Sequence, residues 1–127
     1  MVGQASTGKS TFLHRLQRKP FSSVYDPSDE LASDVIDVKL KNLPLQRLQV
    51  WDVFDEYEYL DYEKLLQNVK GVLLFFDTTK QNVFELRELM RTMQLSTECR
   101  NLLVVGTKAD LVDKRAVSFQ QMSAWCL

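Results

Sequence analysis

The chain has 127 residues, and its 16 Lys and Arg against 17 Asp and Glu give a formal net charge of −1. This near-neutral balance provides no electrostatic footprint for nucleic acid or an anionic membrane. Cys99 and Cys126 do not make a disulfide scaffold, and no apolar run approaches the roughly 20 residues that span a bilayer. We therefore expect one monomeric domain in the cytoplasm, with no nucleic-acid partner.

Strand-like and helix-like segments alternate throughout the chain, which indicates an α/β fold. Residues 1–2 resemble the end of a strand that enters a glycine loop, and a short helix is predicted over 10–18. Residues 34–41 alternate as a half-buried strand does, with Ile36, Val38 and Leu40 facing inward. A turn at 42–44 and a returning strand at 45–51 complete a predicted hairpin.

The second half of the chain adds two buried strands and two helices. The continuous apolar run at 71–76 is typical of a buried parallel strand. Apolar residues at helical spacing predict a helix over 82–93, and a second buried strand is expected over 102–105, ended by Gly106. The sequence SFQQ at 118–121 predicts a capping box that opens a last helix.

Residues 3–10 read GQASTGKS and fit the phosphate-loop pattern G-x-x-x-x-G-K-S/T. The glycines let the backbone curl so that successive N–H groups point at one anion, and the following helix adds its positive end. Lys9 would neutralise the terminal phosphates and Ser10 would ligate Mg²⁺. The alternative is a glycine turn that opens an ordinary helix, which the strand-like residues before the loop disfavour. The predicted nucleotide-binding residues of this segment are Gly3, Ala5, Ser6, Thr7, Gly8, Lys9, Ser10 and Thr11.

Three further segments bear on what is bound. Asp52 ends an apolar strand, where it could hold a metal's water shell, although alone it is more simply a capping residue. The sequence TKAD at 107–110 follows a buried strand and resembles the guanine-recognition motif N/T-K-x-D; alone it is a lysine-rich turn. Phe21 and residues 25–28 follow Lys9 in a polar loop, where a phenylalanine is usually partial core. The phosphate loop and these three segments follow one another in this order on the predicted elements. This arrangement disfavours the simpler interpretations when all of them are considered together.

On these motifs the sequence resembles the Ras superfamily of small GTPases, nearest to its Rab-like and Rho-like branches. The resemblance runs from Val2 to about Trp125, and Thr107 in place of the commoner Asn is the form of the Rho branch. It implies an α/β, three-layer P-loop G domain whose mostly parallel sheet carries one antiparallel hairpin strand. Residues 1–127 would form an incomplete domain, with the first strand and the last strand plus helix largely missing. We therefore expect a fragment, a splice form or an alternative start, with poor stability and weak nucleotide binding.

The resemblance also implies individual roles. Phe21 would pack edge-on against guanine, and Ser28 in the first switch would ligate Mg²⁺ where the family has Thr. Asp52 would position a Mg²⁺-bound water. Lys108, after Thr107, would lie along the base and sugar. Asp110 would accept hydrogen bonds from the guanine N1–H and 2-amino groups, which rejects adenine because an unpaired carboxylate is costly.

The second switch departs from the family pattern D-x-x-G-Q, because residues 52–56 read DVFDE. Asp55 replaces the glycine whose N–H senses the γ-phosphate, and it adds a carboxylate and restricts the backbone. Glu56 replaces the glutamine that orients the attacking water and cannot donate a hydrogen bond to the developing charge. Glu56 and Lys9 remain the candidate catalytic residues. We expect weak or absent GTP hydrolysis and a weakened preference for GTP over GDP.

The leading interpretation is a GTP- and Mg²⁺-dependent switch in signalling or vesicle and intracellular transport, whose effectors or regulators dock on the two switch segments. A non-hydrolysing pseudo-GTPase scaffold is the first alternative, favoured by the acidic second switch. Another phosphate-loop enzyme, such as a nucleoside or small-molecule kinase, is the second, although no segment for an acceptor lid is evident. Cys126 is followed by one residue rather than three, so we expect no membrane anchor in this chain.

Overall fold

The computed structural model describes residues 1–23, 32–53, 64, 66–81, 83–96 and 101–126. Among these residues, no helix has the length and apolar character needed to cross a membrane. The helices and strands are α1 (Lys9–Leu16), β1 (Ala32–Val38), β2 (Gln46–Asp52), β3 (Val72–Asp77), α2 (Val83–Ser96), β4 (Leu102–Thr107), a 3₁₀ turn (Val112–Lys114) and α3 (Phe119–Cys126).

The strands β1 and β2 form the predicted antiparallel hairpin, in which Ile36 lies opposite Leu48. Ile36 is buried as expected, and Asn42 adopts a left-handed φ of 68° in the connecting turn. The prediction that Leu40 faces inward is wrong, since its side chain is exposed. The reason is that β1 ends at Val38, so Leu40 has left the strand ladder before the turn begins.

The strands β3 and β4 pair in parallel along their whole length, and Leu74 at the centre of β3 is fully buried. The prediction that the second strand is buried is wrong, since β4 is only partly covered and Leu103 is exposed. The prediction that Gly106 ends β4 is wrong, because the strand continues to Thr107. Gly106 lies opposite Phe76, and a Cβ there would come within 2.9 Å of the Phe76 ring. The glycine therefore serves close packing inside the ladder rather than a turn.

Residues 1–2 connect the hairpin to the parallel strands. Val2 pairs with Leu74 in a parallel bridge: its N–H donates to Leu73 O at 2.9 Å, and its carbonyl accepts from Phe75 N at 2.8 Å. On the other side, Val53 N donates to Met1 O at 3.0 Å. The predicted strand end is therefore confirmed, and it lies between the end of β2 and β3 where the glycine loop begins.

The two later helices contribute to one core with β3. Leu86, Met90 and Met93 of α2 are buried in the same cluster as Val2 and Leu74. The predicted capping box at the start of α3 is present, because Ser118 N donates to Gln121 Oε1 at 2.8 Å and Gln121 N donates to Ser118 Oγ at 3.2 Å. A parallel pair, an antiparallel hairpin and a strand end that leads through a glycine loop into a helix confirm the α/β P-loop fold class.

Candidate nucleotide site

The loop between Val2 and α1 has the backbone that an anion cradle needs. Gly3, Ser6 and Gly8 have positive φ values of 147°, 59° and 87°. Positive φ values interspersed in a loop are typical of anion-binding turns, in which successive N–H groups converge on one point. Gly8 is the N-cap of α1 and no side chain caps the helix. The N–H groups of the first turn, which have no acceptor within the helix, are thus directed at the same space as the loop.

Lys9 places a buried ammonium group in this loop, with a residue exposure of 3%. Its Nζ donates to Gly3 O and to Gln4 O, the latter at 2.8 Å, and lies 3.5 Å from Thr7 Oγ1. Burying a cation is costly unless its donors are paired. The main-chain carbonyls meet that need here, and they hold the ammonium at the centre of the loop where phosphate oxygens would be stronger acceptors.

Ser10 and Asp52 meet at the junction of α1 and β2. Ser10 Oγ donates to Asp52 Oδ2 at 2.7 Å, although the residues are 42 positions apart. Asp52 is buried, and within the described residues its Oδ1 has no hydrogen-bond partner. A buried carboxylate oxygen beside a hydroxyl suits Mg²⁺, which prefers oxygen ligands and takes the rest of its shell from water and phosphate. Over the described ranges no cluster of three His, Cys, Asp or Glu forms a metal site by itself.

The sequence TKAD at the end of β4 lies against the phosphate loop. Thr107 Oγ1 is 2.7 Å from Thr7 O, 100 positions earlier, and 2.9 Å from Phe76 O. The hydroxyl of Thr107 therefore lies within hydrogen-bonding distance of both the phosphate loop and β3. Lys108 adopts a left-handed φ of 56°, and Asp110 follows it in an exposed position.

Asp77, at the end of β3, has a role that sequence reasoning missed. Its Oδ2 accepts from Lys108 Nζ at 2.6 Å, and its Oδ1 accepts from Thr79 N at 2.9 Å and Thr79 Oγ1 at 2.6 Å. Burial acts to raise the pKa of this carboxyl, but the hydrogen bonds from Lys108 and Thr79 outweigh it and hold the pKa below 3.8. The one signal for this role in the sequence was the position of Asp77 at the end of a predicted parallel strand, because the carboxyl ends of adjacent parallel strands meet at one sheet edge.

Other predicted site residues lie further from these contacts or outside the described residues. Thr11 is exposed on α1, and Phe21 is 70% exposed in the segment that follows α1. Their proposed contacts with nucleotide remain predictions. Ser28, Asp55 and Glu56 lie outside the described residues. The residues that the fold brings together are Gly3, Thr7, Gly8, Lys9, Ser10, Asp52, Thr107 and Lys108.

Comparison with known proteins identifies relatives of this chain. RabV of Dictyostelium discoideum is 30% identical over 122 residues, which cover 93% of this chain and 52% of the relative. Rab-27B of Rattus norvegicus is 28% identical over 94% of this chain and 61% of its own length. The GTP-binding protein ypt1 of Schizosaccharomyces pombe is 26% identical over 94% of this chain and 60% of its own length. The chain thus spans between about half and three fifths of the length of these three relatives. The family model described as Ras family matches residues 1–127, and the chain therefore belongs to the Ras family of small GTPases, with Rab-like relatives.

Proposed function

We propose that this chain binds a guanine nucleotide with Mg²⁺ and acts as a GTP/GDP switch in intracellular transport or signalling. One observation carries the proposal: the hydrogen bond between Thr107 Oγ1 and Thr7 O joins the TKAD segment at 107–110 to the phosphate loop, which supports a role for both in one site. A glycine turn that merely opened a helix would need no such partner. The Rab and Ypt names of the relatives support the cellular role.

At the phosphate end, the contacts of Lys9, Ser10 and Asp52 support the roles proposed for them. Lys9 would exchange the carbonyls of Gly3 and Gln4 for phosphate oxygens, which are charged acceptors and form stronger hydrogen bonds. Ser10 and Asp52 would hold Mg²⁺ directly and through its water shell. When bound, the ion would neutralise phosphate charge. Nothing in this step requires α1 or β2 to move, because Ser10 and Asp52 are already in contact.

At the base end, Asp110 would accept hydrogen bonds from the guanine N1–H and 2-amino groups. Adenine offers no matching donors and would leave the carboxylate unpaired at the edge of the base. Sites built to hydrogen-bond a particular group reject ligands that lack it by large factors. We therefore expect selection of guanine to depend on Asp110, and phosphate affinity to depend on Lys9.

Equilibrium titration with GDP and with ADP in the presence of Mg²⁺ tests this proposal. We expect GDP to bind at least about 100-fold more tightly than ADP. Lys9→Ala should weaken GDP binding, and Asp110→Asn should narrow the gap between GDP and ADP. Asp113→Asn is the matched control, since this exposed carboxylate in the 3₁₀ turn should leave both affinities unchanged. Equal uptake of the two nucleotides would refute guanine recognition.

We infer in addition that hydrolysis is weak or absent. The support is the sequence at 52–56, where Asp55 and Glu56 stand in place of the family's glycine and glutamine, and the resemblance would put their carboxylates near the γ-phosphate. Like charges at roughly 4–6 Å repel by about 1 kcal/mol or more near a surface. In a single-turnover assay, Asp55→Gly with Glu56→Gln should accelerate hydrolysis and strengthen the preference for GTP. An ordinary rate in the unmutated chain that is lost in Lys9→Ala would contradict this inference.

The acidic second switch at residues 52–56 also favours a second candidate function, a non-hydrolysing scaffold. In both cases effectors or regulators would dock on the segments around Ser28 and Asp55, and we propose that they do so in the cytoplasm. The nucleotide that remains bound after purification separates the candidates. Retained GTP supports the scaffold, and retained GDP supports a switch that completes turnover.

A further inference from the structure

Asp77 is a buried carboxylate whose two oxygens have separate partners. Its side chain is 2% exposed, whereas the side chain of Lys108 is 35% exposed. Oδ1 accepts hydrogen bonds from the N–H and hydroxyl of Thr79, and Oδ2 accepts one from the Lys108 ammonium. The carboxylate of Asp77 is therefore held in place by Thr79, and it in turn fixes the position of the Lys108 ammonium.

The turn that begins at Asp77 also supports the backbone on both sides of Lys108. Thr78 N and Thr78 Oγ1 donate to Thr107 O at 3.3 and 2.8 Å. Thr78 O accepts from Ala116 N at 2.8 Å and from Val117 N at 3.1 Å. The segment from Thr107 to Val117 is thus anchored at both ends by main-chain contacts with Thr78. Within that frame, the ion pair with Asp77 is the contact that fixes the end of the Lys108 side chain.

We propose that Asp77 is a positioning residue for nucleoside binding, which acts by fixing the ammonium of Lys108. A lysine without a partner samples many rotamers and loses that freedom when a ligand orders it. With its ammonium held by Asp77, the aliphatic stem of Lys108 is already in place as a wall for the base and sugar. The inference rests on the proposed guanine-nucleotide function and assigns Asp77 no contact with the nucleotide itself.

A double-mutant cycle on GDP affinity tests the proposal, because coupled residues are not additive. Asp77→Asn should weaken GDP binding by about tenfold, the loss expected for a hydrogen bond to a charged group. In a Lys108→Met background, the same change should alter affinity by less than about twofold. Asp37→Asn is the matched control: it removes the carboxylate of an exposed ion pair with Arg47 on the hairpin, and GDP affinity should not change.

The ratio of GDP to IDP affinity distinguishes positioning from general damage to the loop. IDP lacks the 2-amino group that Asp110 is proposed to bind, so the ratio reports on Asp110 and not on Lys108. Asp77→Asn should weaken both nucleotides by the same factor and leave the ratio unchanged. A ratio that falls towards one, or a full effect of Asp77→Asn without Lys108, would show a purely structural role and overturn the proposal.

Two further measurements keep the test decisive. If Asp77→Asn does not fold, Thr79→Val removes one hydrogen bond to Oδ1 and keeps the ion pair. It should weaken GDP binding only when Lys108 is present, and an equal effect in the Lys108→Met background would overturn the proposal. Failure of the unmutated chain to bind GDP is a separate result, because it would refute the proposed function and this inference with it.

Discussion

Replacing Gly3 by alanine should destabilise the chain more than any other single glycine-to-alanine change in the phosphate loop. A Cβ at Gly3 would lie 2.3 Å from Phe75 O and 3.1 Å from Phe75 C. The first distance is about 1 Å shorter than a normal carbon–oxygen contact. Both obstacles are backbone atoms, so no side-chain rotation relieves them. Gly3 also has a φ of 147°, a conformation that alanine rarely adopts.

The cost follows from what would have to move. Separating Gly3 from Phe75 stretches the two hydrogen bonds that Val2 makes with β3, each of which contributes about 1 kcal/mol. Strain in the φ angle adds about 1–3 kcal/mol. The expected total is about 3–5 kcal/mol, a large part of the stability of an ordinary domain. Gly8 has a positive φ but open space, since its Cβ would meet only Thr107 Cγ2 and Cβ at 3.8 and 3.9 Å, so Gly8→Ala should cost about 1–2 kcal/mol.

Urea unfolding of the unmutated chain and the two variants measures this difference directly. Both variants should keep the same dependence on urea, with the midpoint of Gly3→Ala much lower. Equal midpoints for Gly3→Ala and Gly8→Ala would refute the reasoning, because they share the strain of a positive φ and differ in the contact with Phe75. That result would mean that β3 and residues 1–3 separate at little cost.

Three further outcomes follow from individual contacts. The pKa of Asp77 is lower in the folded chain than in the unfolded chain, so its stabilising contribution is complete above the pKa of the unfolded state and is lost as pH falls. The free energy of unfolding should therefore decrease between about pH 5 and pH 3, and Asp77→Asn should make that decrease smaller. Ser118→Ala removes the cap of α3 and should cost about 1 kcal/mol in urea unfolding, whereas Ser123→Ala inside that helix should cost nothing. Thr107→Val should lower stability by about 1 kcal/mol and also weaken GDP binding, since it unties the phosphate loop from β4; a loss of stability without a loss of affinity would contradict the second part.

The features that sequence predicted well are those built from neighbours along the chain. The glycine loop and the start of α1 follow from the spacing of Gly3, Gly8 and Lys9 alone. The capping box of Ser118 and Gln121 joins residues three positions apart. In these cases the residues that form the sequence pattern are also the residues that make the contacts.

The features that sequence could not predict depend on which strands are adjacent. The pairing of Asp77 with Lys108 spans 31 positions and exists because β3 and β4 end side by side. The error at Gly106 has a similar cause, since its need for a small residue comes from Phe76 on the neighbouring strand. From sequence alone, a glycine that forms a turn after an apolar run cannot be distinguished from one that makes room for an aromatic ring on the neighbouring strand.

Most contacts that hold the site together use at least one main-chain atom. Thr107 reaches a carbonyl of the phosphate loop, Thr78 holds the backbone near Lys108, and Val2 joins β3 through its N–H and carbonyl. Main-chain partners are present whatever the side chain, so relatives at 26–30% identity can keep this arrangement. Changes in hydrolysis should therefore depend on side chains rather than on this main-chain framework. Asp55 and Glu56 depart from the family pattern in side chain only, so we expect the proposed loss of hydrolysis to leave the main-chain contacts of the phosphate loop intact.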